Sequence, residues 1–92
     1  MKIEFDPAKS EKNRRERGLP FELVEGFDWD RSFTEFDNRF HYPEVRRVTY
    51  GYIGERLHVV CHTSIEGGIR VISFRKANSR EIRKYEEKKA AD

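Results

Sequence analysis

Two consecutive glycines, Gly67-Gly68, stand between two apolar runs, residues 57–63 and 69–75. Paired glycines enter the left-handed backbone conformations that a tight turn demands, so the two runs are expected to fold back on each other as antiparallel strands. A two-residue loop at these glycines sets His62 opposite Ser73, Cys61 opposite Phe74 and Val60 opposite Arg75. Partners across a hairpin point to one face, which gathers His62, Ser73 and Arg75 on one side of the sheet. Lys76 then points to the other side, unless the strand ends at Arg75 and releases it into a loop.

The remaining elements follow from caps and turns. Residues 2–5 read as a short strand stopped at Asp6-Pro7, where Asp6 is an N-cap and Pro7 the first helical residue. That helix is expected to run to Arg17, with Gly18 ending it in the left-handed conformation. It has almost no apolar stripe. Pro20 opens a second short helix on which Leu23, Val24 and Phe27 share a face. Residues 28–43 are irregular, aromatic and acidic, with a short strand at residues 33–36 and a turn at Asp37-Asn38. Residues 45–53 form the next strand, and Gly54-Glu55 turns it into the hairpin. In the last strand Ile69, Val71, Ile72 and Phe74 fall on both faces, as in a central strand covered twice. Asn78, three residues before Glu81, resembles a capping box, and Ile82 and Tyr85 give the final helix a narrow docking stripe. The fold class is α+β, order β-α-α-β-β-β-β-α: two N-terminal helices and one C-terminal helix packed on an antiparallel sheet, in a single domain over residues 1–92.

A chain of 92 residues makes one domain with a small core. Here 39% of residues are charged against 36% hydrophobic, so the chain either spends charge on a polyanionic partner or completes its core with another protein. The charge is segregated. Lys9 to Arg17 carries five bases and two acids, Glu22 to Glu44 seven acids and two bases, and Arg70 to Lys89 eight bases and three acids. Basic ends attract nucleic acid, although a solvated charged face explains them equally well. The single cysteine, Cys61, excludes an internal disulfide framework and reads as a buried thiol in a reducing compartment. Neither a spanning apolar stretch nor a signal-peptide core is present, so a cytoplasmic location is expected. The aromatics between Asp28 and Tyr42 are either core or a contact surface for a partner.

No spacing fits a metal centre. His58-x₃-His62 has a suitable count, but on a strand the rings stand about 13 Å apart, by a rise of roughly 3.3 Å per residue. Gly67-Gly68 lacks the Lys-Ser/Thr of a phosphate loop.

Taken together, the residues resemble the BrnT-like toxins, members of the RelE-type fold group, over nearly the whole chain. The likeness lies in Phe5-Asp6 with Asn13 and Gly18-x-x-Phe21, in Arg47-x-x-x-Gly51, and in Val59-Val60-Cys61-His62-Thr63. Its most specific part is Ile69-Arg70-Val71-Ile72-Ser73-Phe74-Arg75-Lys76-Ala77, followed by Arg80-Glu81 and Tyr85-Glu86. Two positions depart from the family pattern. Glu16-Arg17 stands where Lys-His is frequent, and His62 stands where tyrosine is common.

The resemblance implies a toxin that cleaves cellular RNA without metal or cofactor, halts translation and growth, and is neutralised by a cognate antitoxin. That BrnA-like partner is DNA-binding, so operator DNA is reached only through the complex. In such cleavage the 2′-hydroxyl attacks the adjacent phosphate. The step needs a base, an acid for the leaving oxygen, and cations on the phosphorane. Arg75 is the expected phosphate-stabilising residue, with His62 or Lys76 moving a proton and Arg47 as a second cation. Arg70, Arg80, Arg83 and Arg17 are candidate RNA contacts. Arg70 reads equally as an ion pair to Glu81 or Glu86, and Glu81 reads as a cap before a general base. A second reading keeps the fold but not the chemistry, as a nucleic-acid- or protein-binding module, and Glu16-Arg17 supports it.

Overall fold

The computed structural model describes residues 1–91, and its elements follow the expected order. They are β1 (Lys2–Glu4), α1 (Pro7–Arg17), a 3₁₀ helix (Phe21–Gly26), β2 (Phe33–Phe36), β3 (Arg47–Ile53), β4 (Arg56–Ile65), β5 (Gly68–Lys76) and α2 (Ser79–Ala91). The sheet order is β1-β5-β4-β3-β2. All neighbours are antiparallel except β1, which runs parallel to β5.

α1 is held by its ends. Asp6 Oδ1 accepts a hydrogen bond from the Ala8 amide at 2.9 Å, and Gly18 closes the helix at φ 71°. Asn13 fastens α1 to the sheet by donating to the Phe74 carbonyl at 2.9 Å and to the Leu19 carbonyl at 2.7 Å. β1 pairs only with residues 68–70 of β5, so Asn13 satisfies part of the strand edge that β1 leaves open.

The second helix is 3₁₀ rather than α, and this changes which residues it buries. A period of three puts Phe21, Val24 and Phe27 on one line. All three are buried, whereas Leu23, expected on that face, is 43% exposed.

The hairpin turn also differs from expectation by one residue. Ile65 pairs with Gly68, so the loop is Glu66-Gly67 and Gly68 is the first strand residue. Gly67 takes the positive φ, 79°. Gly68 is a glycine for another reason: a Cβ there would lie 1.8 Å from the Lys2 carbonyl oxygen, where β1 crosses.

Further along β5 the register slips once more. His62 pairs with Val71 but Cys61 pairs with Ser73, which leaves Ile72 as an extra residue in a bulge. Ile69, Val71 and Phe74 all belong to one core cluster because of it. The alternation that suggested two covered faces is a one-residue insertion.

Each sheet face has its own core. One face, under α1 and the 3₁₀ helix, packs Phe21, Val24, Phe27, Val60, Val71 and Phe74. The other packs Tyr50, Leu57, Val59 and Ala77 against Tyr85 of α2. The capping box is formed, with the Glu81 amide donating to Asn78 Oδ1 and the Asn78 amide to Glu81 Oε1, both at 2.9 Å. Of the aromatics between Asp28 and Tyr42, Trp29 and Phe33 pack against the cores. Phe36 and Phe40 are 63% and 69% exposed. No helix among the described residues is long and apolar enough to cross a membrane.

Candidate active site

Beside α2 the second sheet face carries a cleft of about 370 Å³ with Arg75 in its wall. Strand alternation brings Val59, Cys61, Ser73 and Arg75 to this face, since Val59 pairs with Arg75 and Cys61 with Ser73. The Arg75 guanidinium forks onto Glu81, Nη1 to Oε1 at 2.7 Å and Nη2 to Oε2 at 2.8 Å. Glu81 is fixed in turn by the Asn78 amide. Arg75, and then the Asn78 amide, draw the Glu81 carboxyl below its ordinary value, so it is ionised at neutral pH. A cation is therefore presented by a carboxylate that is itself held by a helix cap.

The opposite wall of the cleft comes from residues 35–39. The Asp37 side chain is only 1% exposed, and Arg39 grips it at 2.9 and 3.0 Å. That bond holds the Asp37 carboxyl at about 2. Lys84 reaches from α2 to Glu35 at 2.6 Å and sits 5.2 Å from the Tyr50 ring centroid. Burial raises the Tyr50 hydroxyl above its usual range. Burial also pushes the Cys61 thiol up, which keeps it protonated and unreactive, as expected from its apolar run. The cleft is lined by two arginines against three carboxylates, and both arginines are already bonded.

A family model described as ribonuclease toxin, BrnT, of type II toxin-antitoxin system matches residues 5–81. The chain belongs to this family. Comparison with curated proteins and with solved structures gave no match. A toxin of a type II system has a cognate antitoxin, and the matched segment contains both Arg75 and Glu81.

Within this BrnT chain His62 does not share the face of Ser73 and Arg75 as expected, whereas Lys76 points away from Arg75 as the strand alternation foresaw. His62 opposes Val71, not Ser73, and Val60 opposes Phe74, not Arg75. The shifted turn changes the partners, and the extra residue Ile72 in the bulge changes the face. The bulge thus places His62 and Arg47, which pair with each other, on the face away from Arg75. His62 is 6% exposed, edge-on to Trp29, with Nε2 hydrogen-bonded to Thr49 Oγ1 at 2.8 Å. Its Nδ1 has no hydrogen-bond partner among the described residues. Burial first, then the Arg47 charge, lowers it to about 4, so it is neutral at pH 7 and sealed from substrate. Arg47 bonds Ser64 Oγ at 3.0 Å and lies over Phe36, its guanidinium 5.4 Å from the ring centroid. Lys76 is exposed and pairs with His58, which likewise puts it on the His62 side.

Of the expected RNA contacts, Arg70 is ion-paired, but with Glu4 of β1 rather than with Glu81 or Glu86. Arg17 lines a depression beside α1. Arg80 and Arg83 are exposed on α2, and neither lines a described cleft. The sequence reading missed Arg39 and Asp37, whose only signal was a cation inside the acidic stretch. It saw Glu81 mainly as a cap. Among the described residues no group of three or more His, Cys, Asp or Glu gathers as a metal site requires.

Proposed function

We propose that this chain is an endoribonuclease that cuts cellular RNA at the Arg75 cleft and so arrests translation and growth, until its antitoxin binds. The observation that carries the reading is the Arg75–Glu81 fork, a fixed guanidinium in the wall of an open cleft on a family-matched segment. Arginine meets two phosphate oxygens at once and stabilises the charge that develops on the phosphorane. Glu81, ionised beside it, is the carboxylate placed to take the 2′-hydroxyl proton as the new P–O2′ bond forms. The P–O5′ bond breaks, and the 5′-oxygen leaves with a proton from solvent. A carboxylate held this low is a weak base, so turnover is expected to be slow. None of these steps is routed through a metal. The reading leaves out His62, Lys76 and Arg47, which face away from Arg75.

The antitoxin is proposed to be DNA-binding and BrnA-like, with operator DNA reached only through the complex. Exposed Phe36 and Phe40 beside the free edge of β2 are its proposed contact. A second reading, a binding module without chemistry, has one observation in its favour: carboxylates outnumber arginines in the cleft.

The experiment is cleavage of a single-stranded RNA by the purified chain in excess chelator, beside the same RNA with 2′-deoxy sugars. The expected result is a 2′,3′-cyclic phosphate product from the RNA and none from the deoxy strand. Cleavage of both, or a requirement for divalent metal, would overturn this chemistry. Binding without cleavage would leave the module reading in place.

A further inference from the structure

The Arg75 cleft is poorly equipped to hold a polyanion, since both arginines in its wall are already bonded to carboxylates. The electrostatic hold on RNA therefore has to come from bases without partners. Lys9, Lys12 and Arg17 on α1 are exposed and form no ion pair among the described residues. They line a second depression of about 240 Å³, which Ile72 and Ser73 of β5 also line. Ser73 is also a wall of the Arg75 cleft. Lys9 and Ile72 in turn line a third depression of about 350 Å³, together with Thr63, Arg46 and Arg70. The three hollows are thus neighbours along β5, the first two sharing Ser73 and the last two sharing Lys9 and Ile72.

The bulge brings the arginines at the two ends of this row to one sheet face. Arg70 and Arg75 are five residues apart and in a regular strand would point to opposite faces. The extra residue Ile72 restores them to one face: Arg70 pairs with Thr63 and Arg75 with Val59, which lie on the same side of β4. The path from Arg75 to Arg70 is about 16 Å, at roughly 3.3 Å per residue. The carboxylates at its two ends are ion-paired, Glu81 with Arg75 and Glu4 with Arg70. Glu16 lines the second hollow and Glu44 the third, and Glu44 is already bonded to Arg46 at 2.9 Å.

We infer that Lys9 and Lys12, aided by Arg17, carry the backbone phosphates of an RNA strand that leaves the Arg75 cleft over the Ile72 bulge toward Arg70. The inference rests on the ribonuclease reading of Arg75 for the direction of the path, but its test does not need cleavage.

The test is binding of the full chain to a single-stranded 2′-O-methyl RNA of mixed sequence, which has no 2′-hydroxyl to attack, across a salt series. Each phosphate contact in a single strand contributes about 0.7 to the slope of log K against log salt. The Lys9→Ala/Lys12→Ala variant is expected to lower that slope by about 1.4. With cleavable RNA it should raise KM and leave kcat unchanged, because uniform binding is what it removes. The Arg80→Ala/Arg83→Ala variant, off the path, should keep the parent slope. An unchanged slope in the lysine variant, or an equal fall in the control, would overturn the inference. So would loss of antitoxin binding with RNA binding intact, which would give the α1 face to a protein. If the slope falls as expected but cleavable RNA stays whole, the path stands and the ribonuclease reading fails.

Discussion

His62 shows how a single buried ring sets the response of the molecule to acid. In the unfolded chain it takes a proton near 6.5, whereas in the fold burial and Arg47 hold it to about 4. Between those values the unfolded chain binds more protons, so stability is intact above 6.5 and falls as the pH drops toward 4. The shift corresponds to about 3 kcal/mol when fully developed. His58, lowered by burial with its Nδ1 against the Arg56 carbonyl at 2.8 Å, adds in the same sense. Asp37, held at about 2, adds only below the ordinary aspartate range near 3.8. Thermal unfolding should therefore show a lower Tm at pH 4.5 than at pH 7.5, and His62→Gln should flatten most of that dependence. A parent protein with equal Tm at both would contradict the buried, neutral imidazole. The identity of this histidine was visible in the sequence, and so was its strand. Its face relative to Arg75 was not, because one extra residue in the bulge at Ile72 reverses the alternation, and nothing in the sequence announced it.

At the scale of elements, caps were legible and registers were not. Asp6, Gly18, Asn78 and Glu81 act through neighbours a few positions away, so their residue types alone announce the helix ends. The 3₁₀ helix and the bulge at Ile72 are set by tertiary packing: Phe21 replaces Leu23 on the buried line, and Phe74 joins Val71 only because Ile72 is pushed out. The parallel pairing of β1 with β5 likewise left little trace beyond Gly68. The close approach of Lys2 gives that glycine a measurable role. Gly68→Ala forces a Cβ into the β1 backbone and is expected to cost about 1–3 kcal/mol, typical of overpacking. Amide exchange at Ile3 and Glu4 should quicken more than at β3. Unchanged exchange in β1 would show that the crossing is looser than described.

For the whole molecule, the division of the sheet into two faces organises function. One face is closed by α1 and the 3₁₀ helix, while α2 covers only part of the other and leaves the Arg75 cleft, and the proposed basic path runs from that cleft past β5 to α1. Charge segregation was legible in the sequence, but most of the acidic middle is spent internally, with Asp28, Glu35, Asp37 and Glu44 all ion-paired. Exposed Phe36 and Phe40 remain there, beside Glu22, Glu25 and Asp30, which are exposed and have no ion pair among the described residues. Phe40→Ser, outside the Arg75 cleft, is expected to weaken antitoxin binding at least tenfold in a titration and to leave RNA cleavage unchanged. Full affinity would move the interface elsewhere.

The central claim is that RNA is cut on the Arg75 face and not on the His62 face. It is tested most directly by growth and total-RNA integrity in bacteria expressing the parent, Arg75→Ala and His62→Gln chains at matched soluble levels. Arrest with RNA loss is expected from the parent and from His62→Gln, and neither from Arg75→Ala. Arrest by Arg75→Ala equal to the parent's, or its absence in His62→Gln alone, would contradict the account.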